Sequence, residues 1–222
     1  MMLFELLANS LPALLHGAQL TVLLAVISYM FALVLGTFIA VGRLSNYRII
    51  RFFCMVYVDF FRGTPLIVQI FMVYFGIPSI LQEIGIPFRF DRFYAAVLTL
   101  SCYIAAYISE DLRTGVRSLG TGQWDAARAL GLRPSYVWAF VILPQAFRRA
   151  LPSLGNEAVG ILKDTSLVAI IGFEELFRKG QLIVANTYKP FEIYLLVAII
   201  YLFLTMLTSF ANRFLERRFQ SR

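Results

Sequence analysis

The residues between Glu5 and Arg43 form an uninterrupted run without an Asp, Glu, Lys or Arg side chain. A transmembrane helix needs about 20 mostly apolar residues, so this run is long enough to cross a bilayer. No basic segment or small-residue cleavage site precedes or interrupts it, so we expect a retained helix rather than a removable signal peptide. A mean hydropathy of +0.75 and a charged fraction of 15% also indicate a membrane protein.

A search for further apolar windows of this length predicts five transmembrane helices. The first carries no charge and the fifth carries only Glu192 at its start, whereas the third ends in "SEDLR" and the second and fourth contain charged side chains. We therefore expect an all-α membrane protein with a single domain over residues 1–222. The predicted spans cover approximately residues 17–41, 52–77, 93–115, 151–173 and 191–211.

The distribution of arginine and lysine predicts the orientation in the membrane, because cytoplasmic loops carry an excess of both. Five spans place the termini on opposite sides, and one side then holds 13 basic residues and the other 5. The N-terminus is therefore expected outside and the C-terminus in the cytoplasm. This distribution assigns the net charge of +7 to membrane topology rather than to nucleic acid binding.

The chain lacks the residue sets that enzymes and metal sites need. His16 is the single histidine, and Cys54 and Cys102 lie in apolar runs, as expected of structural thiols. The segment "GVRSLGT" has the glycine spacing of a P-loop, but Thr121 stands where the phosphate-binding lysine is required. The sequence thus predicts no catalytic residue, no metal site and no nucleotide hydrolysis by this chain.

Charged groups inside the second predicted span point to a solute path, because each is costly at the bilayer centre unless it faces a partner or a wet cavity. Asp59 and Arg62 lie three residues apart, so they face such a cavity or neutralise each other. Pro65 removes a backbone donor and biases Thr64 away from helical geometry, which predicts a break or kink. Broken helices often carry transport sites, and Gln69 follows the break directly.

The fourth predicted span, within "LGNEAVGILKDTSL", carries an unusual density of polar side chains. Asn156 and Lys163 are seven residues apart, as are Glu157 and Asp164, so two adjacent polar stripes follow one side of the helix. One interpretation is a helix partly at the membrane interface with local Lys163–Asp164 pairs. The other is a lining of the solute path formed by Asn156, Glu157, Lys163, Thr165 and Ser166.

The segment "TGQWDAARALGLRP" predicts a short helix on the cytoplasmic side. Thr121 is suited to the N-cap, Asp125 favours the first turn and Gly131 is suited to a left-handed C-cap. A helix of this length is not stable alone in water. It must therefore pack on neighbouring helices of the chain or on a partner protein.

These residues resemble a family motif. "DAARALG", nine residues and then "VILP" are similar to the EAA motif of binding-protein-dependent ABC importer permeases, with Asp125 in place of the usual Glu and Val141 in place of Ile. Four segments narrow the resemblance to polar amino acid permeases and extend it over about residues 17–213. They are "FRGTPLIVQ", "GQWDAARALGL", "LPQAFRRALPSLGN" and "LKDTSLVAIIG".

The resemblance implies the fold of type I ABC importer permeases, with a coupling helix inside a cytoplasmic loop of about residues 116–150. That helix would contact a cytoplasmic ATPase, which binds the ATP and Mg²⁺, so this chain needs no cofactor. It also implies a second permease subunit, identical or different, an extracytoplasmic substrate-binding protein, and location in the bacterial inner membrane. The implied coupling residues are Gln123, Asp125, Ala126, Ala127, Ala129, Gly131 and Pro144.

The expected substrate is a polar amino acid. Related permeases commonly carry an uncharged residue where this chain has Glu157, so an acid there favours cationic amino acids, with Arg62 or Asp59 shaping the same cavity. Alternatively, Glu157 pairs with Arg62 or with the second permease subunit and never meets substrate. A different class of function is also open, namely a self-contained secondary transporter or channel that uses Asp59 or Glu157 without an ATPase.

Overall fold

The computed structural model describes residues 3–220, and every regular element in that range is helical. Arg222, one of the 13 basic residues predicted in the cytoplasm, lies outside the described range. Two π-helical turns, Met72–Gly76 and Val137–Ile142, and one 3₁₀ segment, Thr165–Ile171, interrupt or extend the α-helices. The α-helices are α1 Leu3–Arg43, α2 Arg48–Gly63, α3 Leu66–Phe71, α4 Ile77–Glu83, α5 Arg92–Arg117, α6 Gly122–Ala129, α7 Pro134–Tyr136, α8 Leu143–Asp164, α9 Leu176–Thr187 and α10 Pro190–Gln220.

Four helical stretches of the described chain are long and apolar enough to cross a membrane: Asn9–Arg43, Leu66–Glu83, Arg92–Arg117 and Pro190–Arg218. They overlap the first, second, third and fifth predicted spans. The fourth predicted span falls on α8 and the following 3₁₀ segment, whose charged residues keep it outside this hydropathy class. The total of five spans and their orientation therefore stay predictions.

The second predicted span, 52–77, is divided at its proline into α2 and α3. The chain leaves the helix at Thr64 and Pro65, which both have extended backbone angles, and the apolar stretch starts only at Leu66. The predicted break at Pro65 is thus confirmed. Its physical cause is that proline cannot donate the helical hydrogen bond and disfavours helical geometry in the residue before it.

The main core forms where α5 packs between α1 and α8. Small residues permit the α1 contact, since a Cβ atom on Gly36 would lie 2.9 Å from the carbonyl oxygen of Ala105. At the end of α1, Arg43 contacts Glu110 at 2.5 Å, and Glu110 also pairs with Arg113. These charges fix the end of α1 against α5 close to Asp111.

A second, smaller core joins α1, α9 and α10 around Leu14, Ala18 and Leu176. Glu175, fully buried just before α9, accepts hydrogen bonds from the Arg178 amide at 2.7 Å and the Tyr201 hydroxyl at 2.8 Å. It thereby caps α9 and ties it to α10. Burial raises the pKa of Glu175 above its ordinary value.

Candidate functional site

The helix α6 is held against the rest of the chain by one face. Ala127 is buried in a cluster with Val116 and Val137, and the Trp124 ring meets the Trp138 ring edge-on with centroids 4.9 Å apart. Ala127 is therefore packed inside its own chain, where its small side chain allows α6 to lie close to the helices beneath it. Its part in coupling stays a prediction.

The opposite face of α6 is exposed and includes four of the predicted coupling residues: Gln123, Asp125, Ala126 and Ala129. Leu130, at the end of the helix, is 79% exposed, which is unusual for an aliphatic side chain without a partner. The side-chain carbonyl oxygen of Gln123 also accepts a hydrogen bond of 3.1 Å from the side-chain amide of Gln145, so α6 is tied to the start of α8. A small surface of mixed polar and apolar side chains is thus presented on a fixed helix.

The end of α6 has the predicted glycine geometry. Gly131 adopts a φ of +72°, and the amides of Gly131 and Leu132 donate to the carbonyls of Arg128 and Ala127 at 2.9 and 3.2 Å. This pair of hydrogen bonds is a Schellman cap, so the prediction of a left-handed C-cap is confirmed. The prediction for Thr121 is only partly right, because it occupies the N-cap position but its hydroxyl makes no capping bond.

Pro144 lies at the start of α8, directly after the π-helical turn Val137–Ile142, and is exposed. The backbone from Val137 through Leu143 keeps right-handed helical angles, so Pro144 lies within a continuous helical stretch, directly after the π-helical turn. A π-helical turn and a proline are both places where a helix can bend. Pro144 therefore shapes the connection beside α6 rather than belonging to α6 itself.

Side chains of the same segment form hydrogen bonds with the backbone at the break between α2 and α3. Gln69 is 2% exposed, and its amide donates to the Phe61 carbonyl at 3.0 Å and to the Thr64 hydroxyl at 2.8 Å. The Thr64 hydroxyl in turn donates to the Phe60 carbonyl at 2.8 Å. Both side chains thus satisfy backbone groups of the break, and their place along a solute path stays a prediction.

Arg62 points from the end of α2 toward α5. Its guanidinium lies 5.2 Å from the centre of the Tyr107 ring, and it is within electrostatic range of Asp111 on α5 and Glu157 on α8. Asp59 is exposed, and in the described range no ion pair joins it to Arg62. A direct ion pair between Asp59 and Arg62 is thus absent from the described residues, and the close contact of the Arg62 guanidinium there is the Tyr107 ring.

The two polar stripes of α8 lead to two different places. Asn156 and Lys163 line a cavity of about 620 Å³ shared with Ser209 and Asn212 of α10. Glu157 lies instead within electrostatic range of Asp111 and Asp164. The seven-residue spacing places Asn156 and Lys163 together in one cavity, and the lining of a common path by both stripes stays a prediction.

Thr165 and Ser166 use their hydroxyl donors within their own helix. Their hydroxyls donate to the carbonyls of Leu162 and Lys163, each at 2.7 Å, and Thr165 is fully buried. Hydroxyl groups at the end of a helix commonly bond back to the preceding turn in this way. Their predicted place along the solute path stays a prediction.

The sequence prediction missed Asp111. It is half-buried, and one carboxylate oxygen is buried without a hydrogen-bond partner among the described residues. No ion pair joins Asp111, Glu157 and Arg62 among the described residues, but the three side chains are close enough to interact electrostatically, and they are here named the carboxylate pair site. The charge in "SEDLR" was visible in the sequence, but only the packing of α5 on α8 shows what Asp111 faces.

The chain is similar to known proteins over nearly its whole length. Residues 32–221 match the family model described as binding-protein-dependent transport system inner membrane component. The glutamine transport system permease protein GlnP of Escherichia coli (strain K12) is 39% identical, with 94% of both chains covered. The arginine transport system permease protein ArtQ of Bacillus subtilis (strain 168) is 34% identical, with 95% of this chain and 94% of the relative covered.

Among solved structures, an amino acid ABC transporter crystallised with histidines superposes with a TM-score of 0.88 at 32% identity, covering 98% of this chain and 99% of that one. An inward-facing MetNI methionine ABC transporter shares the fold, with a TM-score of 0.76 at 21% identity, covering 94% of this chain and 97% of that one. The chain therefore belongs to the family of bacterial inner-membrane components of binding-protein-dependent transport systems, the permease subunits through which ABC importers move substrates while a separate ATPase hydrolyses ATP.

Proposed function

We propose that this permease carries polar amino acids, with cationic amino acids as preferred substrates, and that α6 is its coupling helix. One observation carries the proposal. The helix pair α5 and α8 bears Asp111 and Glu157, and the cluster that holds α6 through Trp124 and Ala127 is built on the same two helices. A movement imposed on α6 therefore acts directly on the two helices that carry the charged site.

The exposed face of α6 suits contact with an ATPase that opens and closes. Ala126 and Ala129 present little bulk, Asp125 supplies a charge for orientation, and Gly131 ends the helix without a side chain. The Schellman cap keeps this end rigid, so a push on α6 is transmitted rather than absorbed. In this arrangement ATP and Mg²⁺ are bound by the partner, and Pro144 fixes the connection between α6 and α8.

The carboxylate pair site complements a cationic amino acid in charge. Such a substrate carries two positive groups and one negative group, and Asp111, Glu157 and Arg62 offer two negative groups and one positive group. An uncompensated charge within a membrane is costly, so a substrate that supplies the missing cation is favoured. Similarity to a permease named for arginine and to a transporter solved with histidines supports this preference, whereas the glutamine permease supports a neutral polar substrate.

The family implies three partners: the ATPase, a substrate-binding protein and another permease. We propose that the whole chain, 1–222, is one permease domain with five spans, and that its N-terminus faces the substrate-binding protein. The second permease is a copy of this chain or a sister chain. The cavity between α8 and α10, with Asn156 and Lys163, is then available to that subunit or to the common path.

Transport by the reconstituted complex tests the proposal. The permease, its ATPase and the substrate-binding protein are placed in liposomes, and uptake of labelled arginine is followed with ATP, without ATP and with a proton uncoupler. We expect uptake that requires ATP and resists the uncoupler. Uptake by the permease alone that collapses with the uncoupler would contradict the proposal and establish a secondary transporter.

A further inference from the structure

A groove of about 530 Å³ lies between the turn after α1 and the segment that leads into α8. Most of its lining is apolar, and the polar groups gather at the α1–α2 turn and at Ser135. None of the residues assigned above to coupling or to the carboxylate pair site lines it. The lining residues are Val41, Leu44, Ser45, Asn46, Tyr47, Ser135, Trp138, Ala139 and Leu143.

The groove lies at a membrane boundary. The apolar stretch of α1 ends at Arg43, so the lining from Val41 to Tyr47 passes from the hydrocarbon level to the headgroup level. Tyr47 and Trp138 are aromatic residues of the kind enriched at this level. An open groove here is covered by lipid unless a protein partner covers it.

The α1–α2 wall of the groove is structurally fixed. A Cβ atom on Gly42 would lie 2.5 Å from the Cys54 sulfur, so α1 and α2 touch at this point. The Ser45 amide donates to the Gly42 carbonyl at 3.2 Å, and the Tyr47 amide donates to the Ser45 hydroxyl at 3.2 Å. A preformed groove binds a chain without first having to order its own walls.

Each of the two chain segments that line the groove has an arginine next to it in the sequence. Arg48 directly follows Tyr47, and Arg133 precedes Ser135 by two residues. Both are exposed, and neither takes part in an ion pair within the described part of the chain. Arg51, one turn further along α2, is exposed as well. The groove thus joins apolar walls to unneutralised positive charge.

We infer that the groove binds an anionic phospholipid, with an acyl chain along Leu44, Ala139 and Leu143 and the phosphate between Arg48 and Arg133. Basic pockets between transmembrane helices on the cytoplasmic side bind anionic headgroups, and guanidinium groups match phosphate geometry. An apolar groove alone would accept any lipid, whereas the arginines select charge. The inference does not depend on which amino acid is transported.

The bound lipid has a direct route to α6. Trp138 lines the groove, and its ring packs edge-on against the Trp124 ring of α6 with a centroid distance of 4.9 Å. Leu44, on the opposite wall, packs against the same cluster that buries Ala127. A filled groove therefore supports the position of α6, so anionic lipid stabilises the surface offered to the ATPase.

Tryptophan fluorescence tests the inference, because Trp124 and Trp138 are the two tryptophans of the chain. The full-length Trp124→Phe variant, which leaves Trp138 as the reporter, is placed in phosphatidylcholine vesicles that contain brominated phosphatidylglycerol or brominated phosphatidylcholine at equal mole fraction. Bromine quenches tryptophan on contact. We expect stronger quenching by the anionic lipid, with an apparent affinity at least about fivefold higher.

Two paired variants decide the cause of any preference. Arg48→Gln with Arg133→Gln should reduce the ratio between the two lipids to about one, while Arg217→Gln with Arg218→Gln, at the far end of α10, should leave it unchanged. Equal quenching by both lipids in the parent would overturn the inference, as would a preference that survives loss of Arg48 and Arg133. Loss of quenching when the ATPase is added would assign the groove to that partner instead.

Discussion

A Cβ atom on Gly115 would lie 2.6 Å from the carbonyl oxygen of Ala146, so the backbones of α5 and α8 touch at this point. Asp111 lies one turn before Gly115, and Glu157 lies further along α8. We predict that Gly115→Ala forces the two helices apart and costs about 1–3 kcal/mol through overpacking. Thermal unfolding in detergent should show a lower midpoint, and arginine uptake should fall.

Gly160→Ala is the matched control, because no atom beyond its own helix lies within 4 Å of a Cβ at that position. Alanine there gains helix propensity of up to about 1 kcal/mol and should leave uptake unchanged. Equal behaviour of the two variants would mean that the contact at Ala146 does not position α5 on α8.

Selectivity should depend on both acids of the carboxylate pair site. Glu157→Gln and Asp111→Asn each remove one negative charge that faces the cation of the substrate. A buried hydrogen bond to a charged group contributes about 1.5–3 kcal/mol, so arginine uptake should fall about tenfold or more relative to glutamine uptake. Competition between the two labelled amino acids in the reconstituted complex measures this ratio.

Glu83→Gln serves as the control, because Glu83 is exposed at the end of α4 and forms no ion pair within the described residues. This variant should leave the ratio of arginine uptake to glutamine uptake unchanged. If Glu157→Gln reduces arginine and glutamine uptake to the same extent, Glu157 has a structural role, such as a pair with Arg62 or with the second permease, and does not contact substrate.

Much of the fold follows from local rules that act within one segment. Pro65 breaks its helix because of its own covalent geometry, and Gly131 takes a positive φ because a short helix must end before the next one begins. The spacing of seven residues correctly separates Asn156 and Lys163 from Glu157 and Asp164, since helical periodicity needs no knowledge of the neighbours.

The remaining site residues depended on packing that the sequence does not contain. Gln69 and Thr165 are polar residues in a membrane segment, but their side chains satisfy nearby backbone groups. Asp111 became a site residue only because α5 packs on α8 beside Arg62. A polar residue in a span thus predicts either a path or a local hydrogen bond, and the fold decides between them.

The cap of α6 provides a test of coupling. Gly131 has a φ of +72° and open space around it, so Gly131→Val should act through backbone strain of about 1–3 kcal/mol rather than through a clash. We expect the variant to insert into membranes but to lose transport and substrate-stimulated ATPase activity. Asp125→Lys, on the exposed face, should have the same effect without strain.

Gly122→Ala is the control for Gly131→Val, because Gly122 lies at the start of α6 with open space and no positive φ. It should preserve both transport and ATPase stimulation. Normal coupling in Gly131→Val and Asp125→Lys together would show that α6 is not the contact through which the ATPase acts.

The predicted orientation can be read from two exposed positions. Arg133→Cys and Lys189→Cys are introduced after Cys54 and Cys102 are replaced by serine, and sealed cells are treated with an impermeant thiol reagent. Lys189 is in the loop before α10, which the arginine distribution places outside, whereas Arg133 follows α6. Labelling is expected at position 189 alone, and reaction at position 133 in sealed cells would contradict the topology.

Two neighbouring acids should give stability profiles of opposite sign with pH. Glu174 is exposed, and the hydrogen bond from Lys179 lowers its pKa, whereas burial raises the pKa of Glu175. A raised folded-state pKa gives stability that is complete below the ordinary value of 4.5 and is lost as the pH rises through the folded value. A lowered pKa gives stability that is present above 4.5 and is lost as the pH falls through the folded value.

The unfolding midpoint of the detergent-solubilised permease between acidic and neutral pH should therefore separate Glu175→Gln from Glu174→Gln. Relative to the parent, Glu175→Gln should lose part of the decline in midpoint above pH 4.5, because the neutral amide never has to become a buried anion. Glu174→Gln should lose part of the decline on the acidic side, and only weakly, because its ion pair is open to solvent. Parallel profiles for parent and Glu175→Gln would show that the hydrogen bonds from Arg178, Phe177 and Tyr201 offset the burial of this carboxylate.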